Sequence, residues 1–146
     1  GGNLNSARTI SGGAGTQTAA LAFGNPAVTE QYDGTSWTEV NDLNTGRVDF
    51  AGDGTQTSAL AFGGFQPPVV AITESWNGSN WTEVNDLNTA RNELAGAGTD
   101  NTSALAFAGA NPMAGLTETW NGTNWTEVND LNTARNNVAG AGIYRS

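Results

Sequence analysis

Trp37-Thr38-Glu39-Val40-Asn41-Asp42-Leu43-Asn44-Thr45 recurs without a change at 81–89 and again at 125–133, a spacing of 44 residues. Repetition at a fixed period of this size marks stacked supersecondary units, each unable to bury its apolar face alone. Working outward from the third copy, the unit reads as four short runs separated by turn residues, at 91–98, 103–107, 116–120 and 125–128. We label these runs A to D. The same four span 8–40 and 47–84, and 135–142 repeats run A alone.

The turns choose between an antiparallel meander and a parallel solenoid. Asn77-Gly78 and Asn121-Gly122 stand between C and D, with Asp33-Gly34 in the first unit. Both residues of Asn-Gly tolerate the positive φ of a type I′ hairpin, so C and D are predicted to run antiparallel; a parallel β-helix needs no such hairpins. The Asn-x-Ser/Thr triplets at 77–79 and 121–123 are read as the same hairpin chemistry, and matter as glycan acceptors only in a eukaryotic secretory route.

Side-chain size then orders the strands within a unit. Run A, as in Leu94-Ala95-Gly96-Ala97-Gly98, is small and suits an innermost strand where backbones approach closely. Run B, Ser58-Ala59-Leu60-Ala61-Phe62, is apolar on both faces, as a sheet covered on both sides requires. Runs C and D carry the tryptophans, which fill the widening gaps further out. The predicted fold is all-β: β-propeller blades, three four-stranded antiparallel units of about 44 residues plus one extra innermost strand, in a single repeat domain over 1–146. Blade 1 covers 3–40, blade 2 covers 41–84, blade 3 covers 85–128, and 129–146 holds the first strand of a fourth unit. Closed propellers carry roughly 4–8 blades, so closure by oligomerisation is expected, six blades as a dimer being favoured, or else the units belong to a longer array. An unpaired A strand also invites association.

Composition excludes several classes of partner. A formal charge of −9, with five arginines and no lysine, offers no basic stripe for a nucleic acid backbone. The same sign disfavours anionic membranes, and no apolar run approaches the ~20 residues needed to span a bilayer. Twenty glycines make a turn-rich chain, while 37% hydrophobic residues, with five Trp and five Phe, argue against disorder. With no cysteine and no Asp-x-Asp-x-Asp-Gly loop, neither a metal site nor a cofactor is expected.

Phe62-Gly63-Gly64 leads through Trp76 to Trp81 and then Arg91; Tyr32-Asp33 precedes Trp37 and Arg47, and Trp120 precedes Trp125 and Arg135. This order resembles the kelch-type propeller repeat. The double glycine is complete only at Gly63-Gly64, being Gly24-Asn25 in the first unit and Ala108-Gly109 in the third. Near-identical units with Asn121-Gly122-Thr123-Asn124-Trp125-Thr126 and Ala59-Leu60-Ala61-Phe62-Gly63 also look like the repeat arrays of marine bacteriophage structural (tail or virion) proteins. That second resemblance implies a structural role at a virion or extracellular location.

The inventory for catalysis is thin, because no His, Cys or Lys is present to act as base or activated nucleophile. Glu39 with Asp42, Glu83 with Asp86 and Glu127 with Asp130 imitate a glycosidase pair, but three identical copies point to a structural rim rather than one active site. No enzymatic activity is expected. Arg8, Arg47, Arg91 and Arg135 each open an A strand and would circle one mouth of a ring. They are read as structural forks onto carbonyls or onto an acid such as Asp42 or Asp86, the alternative being capture of an anion or acidic sugar. Trp37, Trp76, Trp81, Trp120 and Trp125 are read as core anchors, against the alternative of stacking on sugars.

One connection differs between units, the B–C loop: 24–28, 63–71 and 108–115. In an up-and-down blade it shares a face with the D–A connection, and loops on a rigid scaffold carry recognition; drift in a tolerant loop is the competing reading. The candidate binding residues are Asn25, Pro26, Phe65, Gln66, Asn111 and Met113. The functional expectation is a non-catalytic structural or adhesion module whose partners are copies of itself or further repeats of a longer chain. A lectin-like glycan-binding propeller is the first alternative. A designed or truncated symmetric propeller without native ligand is the second, suggested by the near-identical units and by Gly1-Gly2.

Overall fold

A computed structural model describes residues 2–9 and 11–142, which fold into three four-stranded antiparallel sheets with no helix among them. The first sheet holds β1 (Gly12–Thr16), β2 (Ala19–Phe23), β3 (Thr29–Tyr32) and β4 (Trp37–Val40). The second holds β5 (Ala51–Thr55), β6 (Ser58–Phe62), β7 (Thr73–Trp76) and β8 (Trp81–Val84). The third holds β9 (Ala95–Asp100), β10 (Ser103–Phe107), β11 (Thr117–Trp120) and β12 (Trp125–Val128). Within each sheet the strands lie in chain order, the meander of a propeller blade.

The blades meet through their first strands, β1 against β5 and β5 against β9. Glycine is required there because the phenyl ring that ends strand B of one blade lies across the A strand of the next. A Cβ on Gly52 would stand 2.5 Å from the Phe23 ring, and one on Gly96 would stand 2.6 Å from the Phe62 ring. In the middle blade Ala59, Leu60, Ala61 and Phe62 are all fully buried, so this sheet is covered on both faces as its pattern predicts.

Tryptophans fill the outer part of each junction. Trp81 packs on Phe23 of the preceding blade with ring centroids 4.9 Å apart, and Trp125 packs on Phe62 at 5.0 Å. Their indole Nε1 atoms donate back across the same junctions, to Thr29 Oγ1 and Thr73 Oγ1, at 3.0 Å each. The apolar clusters therefore run between blades rather than within them: one joins Leu21 and Phe23 to Trp76 and Trp81, the other joins Leu60 and Phe62 to Trp120 and Trp125. The core is thus built at the junctions, where each blade supplies part of its neighbour's apolar cover.

Two expectations change in detail. The C–D hairpins are antiparallel, but they are not two-residue type I′ turns. Trp76 pairs with Trp81 across a loop of residues 77–80, in which Gly78 has φ +95 while Asn77 stays out of the left-handed region. The Asn77 side chain does the work instead, its Oδ1 accepting the N–H groups of Ser79 and Asn80 at 2.9 Å each. The extra innermost strand expected at 135–142 takes the right place but forms no ladder. Asn137 N–H donates to Glu93 O at 3.0 Å, as Glu93 N–H does to Asp49 O at 2.8 Å, and a Cβ on Gly140 would collide with Gly96 O. The segment thus continues the row of A strands beside β9. It is not a strand because, among the described residues, no B strand pairs with it.

Candidate functional site

The repeated arginines lie in the D–A connections, four residues before β1, β5 and β9. They therefore precede the A strands rather than open them, and Arg47 and Arg91 are buried. Arg47 Nη1 donates to Glu74 Oε1 at 2.6 Å and to Thr45 O at 3.0 Å. Its Nε donates to Gly63 O at 2.9 Å and its Nη2 to Ala61 O at 3.1 Å. The guanidinium also sits 5.0 Å from the centre of the Phe50 ring.

The other oxygen of Glu74 accepts the backbone N–H of Asn44 at 2.7 Å and its Nδ2 at 2.9 Å, and that Nδ2 reaches Trp81 O at 2.8 Å. One carboxylate therefore locks the connection to the strands that follow it. Arg91, Glu118 and Asn88 repeat the arrangement, with an Arg91–Glu118 distance of 2.5 Å. In the first blade Arg8 pairs with Glu30, whose second oxygen accepts Asn5 N–H at 2.8 Å. Burial resists ionisation of Glu30, but Asn5 N–H and the Arg8 guanidinium outweigh it and hold the carboxyl below its usual range.

The arginines do fork onto carbonyls as expected, but their acid is strand-C glutamate, not Asp42 or Asp86. Those aspartates instead accept Thr29 N–H at 3.0 Å and Thr73 N–H at 3.1 Å, while Glu39, Glu83 and Glu127 are exposed. Glu30, Glu74 and Glu118 went unnoticed in the sequence. One buried-strand acid per unit beside one arginine per unit was the available signal.

The B–C loops and D–A connections share one face, as predicted. Arg47 N–H donates to Pro26 O at 2.7 Å, Leu43 N–H to Ala27 O at 3.0 Å, and Leu131 N–H to Gly115 O at 2.9 Å. Phe65 and Val48 exchange both backbone hydrogen bonds, at 2.8 and 3.1 Å, which holds the Phe65 side chain out at 37% exposure. Gln66 and Pro26 are exposed, Asn25 is half-buried, and Met113 is 59% exposed. Asn111 is turned to the scaffold, its Nδ2 donating to Asn92 Oδ1 at 2.8 Å. Each candidate pair thus stands on its own blade.

A cleft of about 270 Å³ opens among Asp49, Phe50, Glu93, Leu94, Asn137 and Val138, the residues just before β5, β9 and the equivalent point of the tail. Asp49, Glu93 and Asn137 share a left-handed backbone, with φ 55, 55 and 51. Glu93 accepts Asn136 Nδ2 at 2.5 Å and Asn137 Nδ2 at 3.1 Å. These residues were also missed. Their signal is variation after a shared arginine, in Arg47-Val48-Asp49, Arg91-Asn92-Glu93 and Arg135-Asn136-Asn137, where the third position is polar in each unit but never the same residue. The cleft offers carboxylate and amide groups to a hydroxylated ligand; among the described residues no His, Cys, Asp or Glu cluster is arranged to hold a metal. No known protein-family model matches the chain, and no curated protein is recovered as its relative.

Proposed function

We propose that the chain is a non-catalytic structural or adhesion propeller module, kelch-like in its repeat and suited to a phage virion or tail, that works within an assembly of blades. One observation carries this reading: the repeated arginines, strand-C glutamates and tryptophans of the second and third blades are consumed by the scaffold, while side chains of the unequal B–C loops are exposed on one face. Arg47, Glu74, Trp76, Trp81 and their copies in the third blade are buried and bonded, whereas Phe65, Gln66 and Met113 project from loops of different length. A rigid frame that presents variable loops is the layout of a recognition or packing surface. Copies of the chain are the partner we assign, two of them supplying six blades of one ring. The mass in solution tests this, about 30 kDa being the expected value for a closed pair of 15.0 kDa chains and a single chain at all concentrations overturning it.

A lectin-like role is the second reading, favoured by an exposed aromatic, Phe65, on the face that also carries the carboxylates and amides of the axial cleft. Aromatic faces with neighbouring hydrogen-bonding groups suit sugar rings. Glycan-array binding that disappears when residues 65–70 are replaced by the shorter loop of the first blade would select it over the purely structural role.

A further inference from the structure

Residues 3–15 and 130–142 are one device present twice. Leu4, Asn5, Ala7, Arg8 and Gly13-Ala14-Gly15 recur in register as Leu131, Asn132, Ala134, Arg135 and Gly140-Ala141-Gly142. The first copy is in use: Asn5 and Arg8 hold Glu30, and β1 pairs with β2 from Gly12↔Phe23 to Thr16↔Ala19. The second is idle. Arg135 is exposed, donates from Nε to Thr133 O at 3.3 Å, and makes no ion pair among the described residues.

The copy in use is less completely bonded than its counterpart in the second blade. Nε and Nη2 of Arg8 are buried without an acceptor, as Nε of Arg91 also is, whereas both atoms of Arg47 reach carbonyls, Gly63 O and Ala61 O. Unpaired buried donors each cost about 1–3 kcal/mol. Ser11 stands where Phe50, Leu94 and Val138 place an apolar side chain, and Phe50 is stacked on Phe23 at 5.9 Å.

The idle copy already lies where such a segment operates, alongside β9, and among the described residues no strand pairs with the edge that would carry a B strand. The face beyond it matches the closed junctions. Phe107 and Thr117 occupy the positions at which Phe23 with Thr29, and Phe62 with Thr73, receive the next blade's tryptophan. Val128 at the rim is 40% exposed, while its counterparts Val40 and Val84 pack against the two apolar clusters. Trp37 is the tryptophan without such a seat; its ring contact is with Tyr32 of its own blade, at 5.0 Å.

We propose that residues 130–142 of one copy replace residues 3–15 of a second copy, pairing with its β2 and bringing Arg135 to its Glu30, so that its Trp37 docks on Phe107 and Thr117. Both segments claim the same carboxylate and the same edge of β2, so a second copy can seat its first blade on the third only if one of them leaves. The exchange breaks and remakes the same ladder, which keeps its cost low. This rests on reading the chain as an assembly module.

Light scattering over a concentration series, on the whole chain and three variants, tests it. The unaltered chain is expected to associate, and Arg135→Ala to weaken association about tenfold or more. Arg8→Ala is expected to do the opposite, tightening it by a similar factor, because it damages only the segment that is displaced and Arg135 of the neighbour restores the pair with Glu30. The tryptophan near-ultraviolet circular dichroism of Arg8→Ala should recover as its concentration rises. The double variant Arg8→Ala with Arg135→Ala should lose the gain, which separates exchange from aggregation of a damaged first blade. A mass of 15.0 kDa at every concentration in all four proteins overturns both the exchange and the assembly reading. Association that Arg8→Ala weakens or leaves unchanged overturns the exchange and leaves the assembly reading standing.

Discussion

The junction between the second and third blades and the outer face of the third carry the same residues in opposite states. At the junction Arg91, Leu87 and Phe62 are buried; at the outer face Arg135 is exposed, and Leu131 and Phe107 are only partly covered. The chemistry of a blade does not differ between the two places, only the presence of a neighbour. Stability in this chain therefore resides in the junctions, and a position should matter in proportion to the junction it closes.

The largest expected effect is at the buried ion pairs. Removing Glu74 by Glu74→Ala leaves the Arg47 guanidinium buried without its counter-charge and also releases Asn44, so a loss of about 3–5 kcal/mol is expected in urea unfolding. Arg135→Ala, the same kind of change at the open face, should stay within about 0.5 kcal/mol for the isolated chain. Replacing both members of the buried pair, Arg47→Met with Glu74→Leu, should recover most of the loss, since well-packed apolar groups replace a buried pair at little cost. Equal effects at 74 and 135 would break the comparison.

Next come the tryptophans. Trp125→Ala empties the space over Phe62 and should cost about 3–5 kcal/mol, whereas Trp37→Ala, at the uncovered face of the first blade, should cost at least about 1 kcal/mol less because it buries less area. Thermal unfolding of the two variants side by side checks the order. Smaller again is Thr73→Val, which keeps shape but strands the Trp125 N–H; about 1–2 kcal/mol is expected. Thr117→Val, whose Oγ1 serves no indole, should lie within about 0.5 kcal/mol. The Thr73 and Thr117 pair sharpens the comparison to the indole hydrogen bond, Thr117 Oγ1 making only a long bond to Gly115 O at 3.4 Å.

Most of the fold was legible because period, turn residues and side-chain size agree with one another. The small A strands, the apolar B strands and the outer tryptophans each follow from one row of repeated residues. The arginine partner was harder to read, since Glu74 lies 27 residues from Arg47 and looks like an ordinary polar position of an exposed strand. The constant nine-residue motif drew attention to Asp42 and Asp86, whose roles are local. Strand potential at 135–142 was also legible, but a strand needs a partner edge, which no run of residues contains in itself. Asp49, Glu93 and Asn137 escaped because a left-handed turn built without glycine has no strong sequence mark.

The smallest effect concerns the one innermost strand that departs from its copies. Asp53 stands on β5 where β1 has Ala14 and β9 has Ala97. Its Oδ1 accepts Gly54 N–H at 2.7 Å, while Oδ2 is buried without a partner. Burial pushes this carboxyl up, against the opposing pull of Gly54 N–H. A folded-state pKa raised above the unfolded one means that the fold prefers the protonated acid. The penalty is therefore absent below the ordinary aspartate value of about 3.9 and grows as pH rises through the interval above it. Glu30 runs the other way, its lowered pKa adding stability at neutral pH that is lost as pH falls through the carboxylate range, but it acts equally on the chain with and without Asp53. Asp53→Ala should accordingly stabilise the protein by about 1 kcal/mol at pH 7, the usual gain from restoring a repeat consensus, and by much less near pH 3.5. Urea unfolding at the two pH values decides the cause. A gain of the same size at both would assign the penalty to something other than the buried charge.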